Sequence, residues 1–369
     1  MRLLKNLSLI STALSLTFSS AFALDFEDAV FPELATSGRA LAMGNAYIAK
    51  VDDSSSVFYN PAGLGTVRFP HLHLSNLHLE VNKGWLKTGA GGSITDAAGN
   101  ITKGFSIDGT RQLLKDNPGH ISHSRFNFLP NFTARYISFG YLLSIRQKAS
   151  LSSETGSQFK YAWRRDHGPY VGINVSLFGG VFKIGSSVTW LMRKESLGES
   201  DPDITIELGE ADYYKGSAAI INSGVKLTLP VQWLPTFAAN MHNATEQDFG
   251  NASGKGKPDK ILNSMDLGFS VTPQIGKLIR WHWEVNWKDF GSEYEGVSTK
   301  RKLTLGSELD IARTFFLRFG YGDGFGSAGL GIKTRKLEFD LTTYAVENSD
   351  EDYEGTEDRR FSMTISSGF

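Results

Sequence analysis

The 369-residue chain contains no cysteine and has a formal net charge of only −1 at pH 7. Without cysteine it can be neither a lipid-anchored lipoprotein nor disulfide-stapled, and it can hold no thiolate metal or redox site. Its basic residues are scattered rather than clustered, which argues against a nucleic-acid partner. Beyond the N-terminus there is no long apolar run and no Pro- or Ser-rich linker, so we expect one folded domain.

The first 23 residues are organised like an export signal. Arg2 and Lys5 precede an apolar stretch from Leu7 to Phe18, and the small-residue exit 21–23 follows. The apolar stretch is shorter than the roughly 20 residues that a membrane-spanning helix needs, and Ser and Thr interrupt it. We therefore predict a signal peptide at residues 1–23, cleaved after Ala23, and export of the remaining chain.

From Phe69 onward, apolar and polar residues alternate as side chains do along a pleated strand. The clearest stretch is 277–288, where one face carries Ile279, Trp281, Trp283, Val285 and Trp287, and the other carries Arg280, His282, Glu284, Asn286 and Lys288. Three tryptophans on one strand would crowd the ~10 Å space between the sheets of a sandwich. Facing lipid, they crowd nothing.

The alternation predicts fourteen strands, at 69–81, 126–136, 138–150, 168–178, 181–194, 216–229, 233–244, 261–273, 277–289, 299–310, 313–321, 325–334, 336–347 and 358–369, with a slip of phase in the first near Asn76. The connections between them alternate between long loops and tight turns, and only 322–324 is short on the long side. An even strand number with long loops at one end and tight turns at the other is typical of outer-membrane barrels. We therefore predict an all-β, transmembrane antiparallel barrel over residues 67–369.

Residues 24–66, which we call the N-terminal segment, do not alternate in this way. The stretch from Ser37 to Gly65 is rich in Gly and Ala, carries an acidic pair, and closes on Asn-Pro-Ala-Gly-Leu. A small irregular stretch ahead of so many strands is best explained as something that the strands enclose, so we predict a plug. Its expected plug and gating residues are Gly38, Arg39, Met43, Gly44, Asp52, Asp53, Asn60, Pro61, Ala62 and Gly63.

Two interpretations of Asp52 and Asp53 remain open. Either they fix the plug by pairing with inward-facing bases of the wall, such as Arg135, Arg146, Lys183, Arg318 or Arg360, or they start a turn before the serines at 54–56. Pro61 fixes its own backbone angle and disfavours a helical Asn60, so 60–62 is the expected rigid point of the segment.

The run Gly-Arg-Ala-x-x-Met-Gly-x-Ala at 38–46, the acidic pair and Asn-Pro-Ala-Gly-Leu at 60–64 resemble the FadL-like family of outer-membrane proteins. That family includes transporters of hydrophobic compounds and PorV-type proteins of a secretion system. The resemblance implies transport of small hydrophobic molecules of the fatty-acid or hydrocarbon type, by capture at the outer loops, transfer to an apolar pocket beside the plug, and release by plug movement or a lateral gap. Transport of this kind needs no cofactor.

The resemblance leaves one alternative, a PorV-type docking or shuttle subunit whose partners are secretion-system proteins. An apolar lumen would favour transport and a fully polar one would favour docking. The predicted inward positions are mostly polar, with the exceptions Leu142, Tyr170, Leu191, Ile220 and Phe316.

Two further features carry expectations about partners. Phe361, Met363, Ile365 and Phe369 share a face of the last strand, and a terminal Phe resembles the signal that the barrel-assembly machinery reads. Outer-membrane lipids and that machinery are therefore expected partners. In the family resembled, outer loops form a first apolar groove for ligand, and in the loop 82–125 this leaves two readings of Phe105, Ile107, Leu113 and Leu114: they line such a groove or they pack the loop onto the rim.

Signals for other chemistry are weak. The run 324–329 matches the Gly-x-Gly-x-x-Gly fingerprint in letters, but a strand follows it where a helix is needed. No Gly-x-Ser-x-Gly elbow is present. The acidic run 350–355 begins like a calcium loop, yet Phe361 stands where the closing Glu belongs. Histidines 71, 73, 78, 120 and 123 have no carboxylate cluster beside them in sequence, so we expect no metal, no cofactor and no enzymatic activity.

Overall fold

Fourteen antiparallel strands form a closed barrel in the computed structural model, which describes residues 33–89, 103–348 and 353–368. They are β1 (His71–Asn82), β2 (His120–Phe128 with Asn131–Ala134), β3 (Ile137–Leu151), β4 (Phe159–Leu177), β5 (Phe182–Ser200), β6 (Tyr214–Thr228), β7 (Thr236–His242), β8 (Ser264–Val271), β9 (Ile279–Trp287), β10 (Leu303–Ile311), β11 (Phe315–Gly322), β12 (Phe325–Lys333), β13 (Leu337–Glu347) and β14 (Glu357–Gly368). Short strands at Gly250–Gly254 and Gln274–Ile275 extend two of the hairpins. The predicted signal peptide, Phe369 and the start of the acidic run at 350 lie outside the described residues.

Each strand pairs with the next along the chain, and the first strand pairs with the last. Leu77 lies opposite Ile365 and Val81 opposite Phe361 in the β1–β14 ladder. Since that ladder joins the two ends of the sheet, no strand of the wall is left as an edge. The predicted fourteen-stranded antiparallel barrel is confirmed.

Three strands extend well beyond their predicted bounds. β4 begins at Phe159 rather than 168, β2 begins at His120 rather than 126, and β5 ends at Ser200 rather than 194. The extra residues continue the ladders, as where Ser150 lies opposite Lys160, but they carry charges on both faces, so alternation cannot reveal them. β2 is interrupted at 129–130 because Pro130 has no N–H for the ladder.

The phase slip expected in the first strand is present as an irregularity of register between His73 and Ser75. It allows His73 and His78, an odd number of residues apart, both to point inward, and both are buried. Leu72 and Leu74 point outward and are exposed.

The outer surface of the wall carries an apolar belt. On β9, Trp281, Trp283 and Trp287 are 37%, 45% and 43% exposed, whereas His282 and Glu284 between them are 3% and 2% exposed. Tryptophan exposed beside buried ionisable groups is the reverse of a soluble core, and it identifies the outer face as the face toward lipid.

The N-terminal segment contains two short helices, Gly38–Ala42 and Ser56–Tyr59, and a 3-10 turn at Pro61–Thr66. The first helix contacts β11 to β14, and the 3-10 turn contacts β4 to β6. Contacts with both halves of the ring place the segment in the lumen, and residues 67–70 then lead into β1. Further short helices lie outside the wall at Lys83–Gly89, Ile107–Asp116 and Thr299–Lys302. Within the described ranges, no helix has the length and apolar character needed to cross a membrane.

Candidate functional site in the barrel lumen

Glycines of the wall face the N-terminal segment at positions where its backbone comes very close. A Cβ atom placed on Gly185 of β5 would lie 2.2 Å from the carbonyl carbon of Pro61, and one on Gly320 of β11 would lie 2.1 Å from that of Met43. A Cβ on Gly306 would also lie 2.8 Å from the Met43 carbonyl oxygen, and at Gly224, Gly268 and Gly329 it would come within 3 Å of side-chain atoms of the segment. At these glycines, the gap between the wall and the segment is therefore too small for even one additional methyl group.

Polar side chains of the wall satisfy the irregular backbone of the segment. Ser187 donates to the Val57 carbonyl at 2.6 Å and Thr342 to the Gly38 carbonyl at 2.8 Å. Further pairs of this kind are Ser327 to the Ala42 carbonyl at 3.0 Å, Asn174 to the Ala62 carbonyl at 3.2 Å, and the Ala49 N–H to Glu284 at 2.8 Å. A buried backbone without regular structure needs such partners, and here five strands supply them.

Arg39 makes a two-pronged polar link between the segment and the wall. Its guanidinium donates to both carboxylate oxygens of Glu308 on β10, at 2.6 and 2.7 Å. Its remaining nitrogen donates to Asp52 at 2.7 Å. Glu308, which is 1% exposed, also accepts from Arg318 of β11 at 2.8 Å. A two-pronged charge-assisted pair of this kind fixes orientation as well as position.

Asp52 and Asp53 are held from within the segment. Burial opposes the charge on Asp52, but Arg39 and Lys50 outweigh burial and hold the pKa of this carboxyl well below its usual range. Asp53 accepts from the Ser55 N–H at 2.9 Å and from the Tyr47 hydroxyl at 2.6 Å, as a residue that starts a turn does. The contacts therefore favour the turn interpretation, and the wall contributes a carboxylate to Arg39 rather than a base to the aspartates.

The remaining predicted residues of the segment meet at its turns. Asn60 accepts from the Ala62 N–H at 3.0 Å and donates to the Ile48 carbonyl at 3.1 Å, so its side chain holds the turn that begins at Pro61. Gly44 adopts a φ of 63°, which favours glycine, and its backbone lies against Tyr321 of β11. Gly63 lies against Val51. The gating role proposed for these residues stays a prediction.

An apolar cluster fills the lumen on the β3 to β6 side. Four of the predicted apolar inward positions, Leu142, Tyr170, Leu191 and Ile220, are at most 4% exposed and pack in one cluster with Phe58 and Tyr59 of the segment. The rings of Phe58 and Tyr170 meet edge to face with centroids 5.1 Å apart. The lumen is therefore not uniformly polar, and its apolar side is covered by the segment.

A cavity of about 80 Å³ lies between the segment and the wall near the tight turns. Phe58, Leu129 and Phe316 form its apolar side. Its other side is polar and charged, with Arg39, Asp53, His73, Arg318, Lys333, Glu338 and Asp340 among its lining residues. Phe316, the fifth predicted apolar inward position, lines this cavity.

The residues expected to form an outer groove pack against the rim. Leu114 is fully buried in a cluster with Ala149 and Phe159, and Ile107 packs against that cluster. Leu113 is 8% exposed, and Phe105 lies against Trp85 with ring centroids 5.8 Å apart. Packing onto the rim accounts for these four residues, and a ligand groove there stays a prediction.

On β14, Phe361, Met363 and Ile365 share the outward face, as expected, and each lies opposite an apolar residue of β1. Whether the assembly machinery reads this strand stays a prediction.

Sequence reasoning missed the carboxylates that accompany the histidines. His123 lies in β2, not in a solvated loop, and its Nε2 is 2.7 Å from Glu80 of β1. His78 contacts the same carboxylate at 3.3 Å. A carboxylate therefore does accompany these histidines: Glu80 stands two positions after His78, and strand pairing brings it to His123, 43 positions away. Glu308 was missed for the same reason.

Comparisons with known proteins find structural likeness only. No protein-family model matches the chain, and no curated protein does. The structure is similar to CymD, a monoaromatic hydrocarbon channel, at 10% identity and a TM-score of 0.49 over 92% of this chain and 99% of that one. It is also similar to the Ralstonia pickettii toluene transporter TbuX (10%, 0.47, 91% and 98%) and to a Pseudomonas aeruginosa FadL homologue (9%, 0.31, 90% and 98%). At such identities and TM-scores these likenesses carry no argument about function.

Proposed function

We propose that the chain transports small hydrophobic molecules, of the fatty-acid or hydrocarbon type, across the bacterial outer membrane, with the N-terminal segment as its plug. The observation that carries this proposal is the apolar cluster of Leu142, Tyr170, Leu191 and Ile220 inside an otherwise polar lumen. The cluster is a surface on which an apolar molecule can replace Phe58 and Tyr59 without losing apolar burial.

Transport on this proposal is transfer between binding surfaces. A hydrophobic molecule entering from the long-loop end meets the apolar cluster first, and the segment then has to move before the molecule can pass toward the cavity at the tight-turn end. No bond is made or broken, so the proposal requires neither a catalytic group nor a cofactor. The same proposal includes export by means of the signal peptide, insertion by the barrel-assembly machinery, and contact of the wall with outer-membrane lipids.

The charged lining of the cavity favours a second candidate, the PorV-type docking subunit. Arg318, Lys333, Glu338 and Asp340 give that end of the lumen a surface suited to a polar partner rather than to a hydrocarbon. On this reading the partner is a protein of a secretion system, and no apolar ligand is bound.

Two measurements on detergent-purified protein test the proposal. Deleting residues 37–65 should leave the wall assembled and raise the single-channel conductance in planar bilayers, because inward groups such as Asn174 and Arg318 would then meet water. A long-chain fatty acid or an aromatic hydrocarbon should bind the intact protein, and Tyr170→Ser should weaken that binding. Unchanged conductance would remove the plug from the proposal, and no binding of either lipophile would favour the docking candidate.

A further inference from the structure

Two histidines and a glutamate converge at the tight-turn end of the lumen. One ligand atom each from His71 and His73 of β1 and Glu338 of β13 all lie within 4.8 Å of one another. The strands are held in place by β14 between them, where His73 lies opposite Gly368 and Glu338 opposite Ser366. The two imidazole rings are stacked, with centroids 5.6 Å apart and planes inclined by 3°. The wall itself thus brings three metal-binding side chains together.

His73 has an unmet need for a partner. His73 is only 8% exposed, and its Nδ1 has no hydrogen-bond partner among the described residues. Buried polar atoms are rarely left without one, since desolvation is then uncompensated. A bound cation would supply the missing partner to an imidazole lone pair.

A second cluster shows what a filled site of this kind looks like. Glu33, His242 and Asp266 also bring three such atoms within 4.8 Å of one another. There the Lys288 ammonium pairs with both Glu33 and Asp266, and its side chain is 1% exposed. The centre of that cluster is therefore already occupied by a buried cation that belongs to the protein.

The cluster around His73 is held less completely. Its nearby ammonium, Lys333, pairs with Glu338, but the Lys333 side chain is 37% exposed and stands at the end of β12. It can turn to water and release the carboxylate, whereas Lys288 cannot leave without unpairing two buried acids. The competing charge lowers the affinity of the site for metal without filling it.

We propose that His71, His73 and Glu338 form a transition-metal site with the His₂-carboxylate ligand set that suits Zn²⁺. Bonds of ~2.0–2.2 Å to nitrogen and oxygen put neighbouring ligand atoms of a tetrahedral ion ~3.4 Å apart. The three side chains reach that spacing by closing on the ion by roughly 1 Å, which half-exposed His71 at the start of β1 permits. Three protein ligands leave the fourth position for water or another group.

The position of the site gives the ion a structural consequence. His73 and Glu338 line the cavity beside the N-terminal segment, and His71 follows that segment by only a few residues. An ion held between β1 and β13 would tie the point at which the segment joins the wall. Metal occupancy and the freedom of the segment are therefore coupled at this end of the lumen.

The test is metal titration of the tag-free, full-length protein in detergent after treatment with a chelator. Co²⁺ is followed by its visible absorption, and Zn²⁺ by its displacement of Co²⁺. We expect one ion per chain, affinity at least tenfold weaker in His73→Ala and Glu338→Gln, and affinity unchanged in the control His120→Ala at the opposite rim. Lys333→Ala should bind more tightly than the unmodified protein, because it removes both the competing ion pair and a like charge.

Lys333→Ala separates this site from nonspecific binding, since binding of the ion elsewhere on the protein would not depend on the lysine that pairs with Glu338. Equal affinity in His73→Ala and the unmodified protein, or no gain in Lys333→Ala, would overturn the proposal. If His73→Ala no longer shows the heat-modifiable mobility of a folded barrel, Glu338→Gln and Lys333→Ala decide the question.

Discussion

Gly185→Ala tests whether the wall is built around the N-terminal segment. The added Cβ would lie 2.2 Å from the carbonyl carbon of Pro61 and 2.4 Å from the nitrogen of Ala62. Carbon atoms in ordinary contact are ~3.5–4.0 Å apart, so the strand or the turn has to shift by more than about 1 Å. The neighbours are backbone atoms that cannot rotate away. Overpacking of an interior costs ~1–3 kcal/mol, and we expect the upper end of that range.

The matched control is Gly326→Ala on β12, where an added Cβ meets nothing within 4 Å. Both variants add one methyl group to a strand glycine, so they share any effect of strand propensity. We expect Gly185→Ala to lose its heat-modifiable, compact mobility at a lower temperature than the control and to show intermittent conductance in planar bilayers. Equal melting and equal conductance in the two variants would refute the close fit of segment and wall.

Three other predictions address the ion network, the topology and assembly. Glu308→Gln should destabilise the seated segment by ~1.5–3 kcal/mol, because a neutral amide replaces the carboxylate that accepts two charge-assisted hydrogen bonds from Arg39, and should raise conductance; Glu210→Gln, at an exposed ion pair in an outer loop, should change neither. A cysteine at Ser253 should react with an impermeant thiol reagent on intact cells and one at Gly180 should not; labelling at both would invert or abolish the assigned topology. Deletion of Phe369, or Phe369→Asp, should reduce the heat-modifiable barrel in the outer membrane and leave protein in the periplasm, and normal assembly would show that this residue is not read as a signal.

The wall was predictable from sequence because its surroundings impose a simple rule. Lipid on one side and a polar interior on the other require side chains to alternate, and Trp281, Glu284 and their neighbours on β9 follow that rule. Where the strands rise beyond the apolar belt, as at 159–167, the rule no longer applies and the bounds were misplaced. The interruption at Pro130 and the irregularity after His73 are local effects of single residues, and the second of these was visible as a slip of phase.

The interior was only partly predictable. Composition identifies the N-terminal segment and the conspicuous Arg39, Asp52 and Asn60, but it cannot tell which residues they meet. Glu308 and Glu80 look like ordinary inward polar residues of their strands until the ring closes and brings them to Arg39 and His123. Partnerships of this kind depend on register across the barrel, which is a property of the closed sheet and is absent from any single strand.

The ion network around Arg39 divides cleanly along the boundary between segment and wall. On the segment, Arg39 keeps Asp52 and Asp53 as partners; on the wall, Glu308 keeps Arg318, which also pairs with Asp340. Withdrawal of the segment breaks the links from Arg39 and the more distant Lys50 to Glu308, but Arg39 and Lys50 keep Asp52, and Glu308 keeps Arg318. Breaking a lone buried ion pair is costly because it leaves a buried charge without a partner. That cost is avoided here, so the segment can leave the wall and return to it.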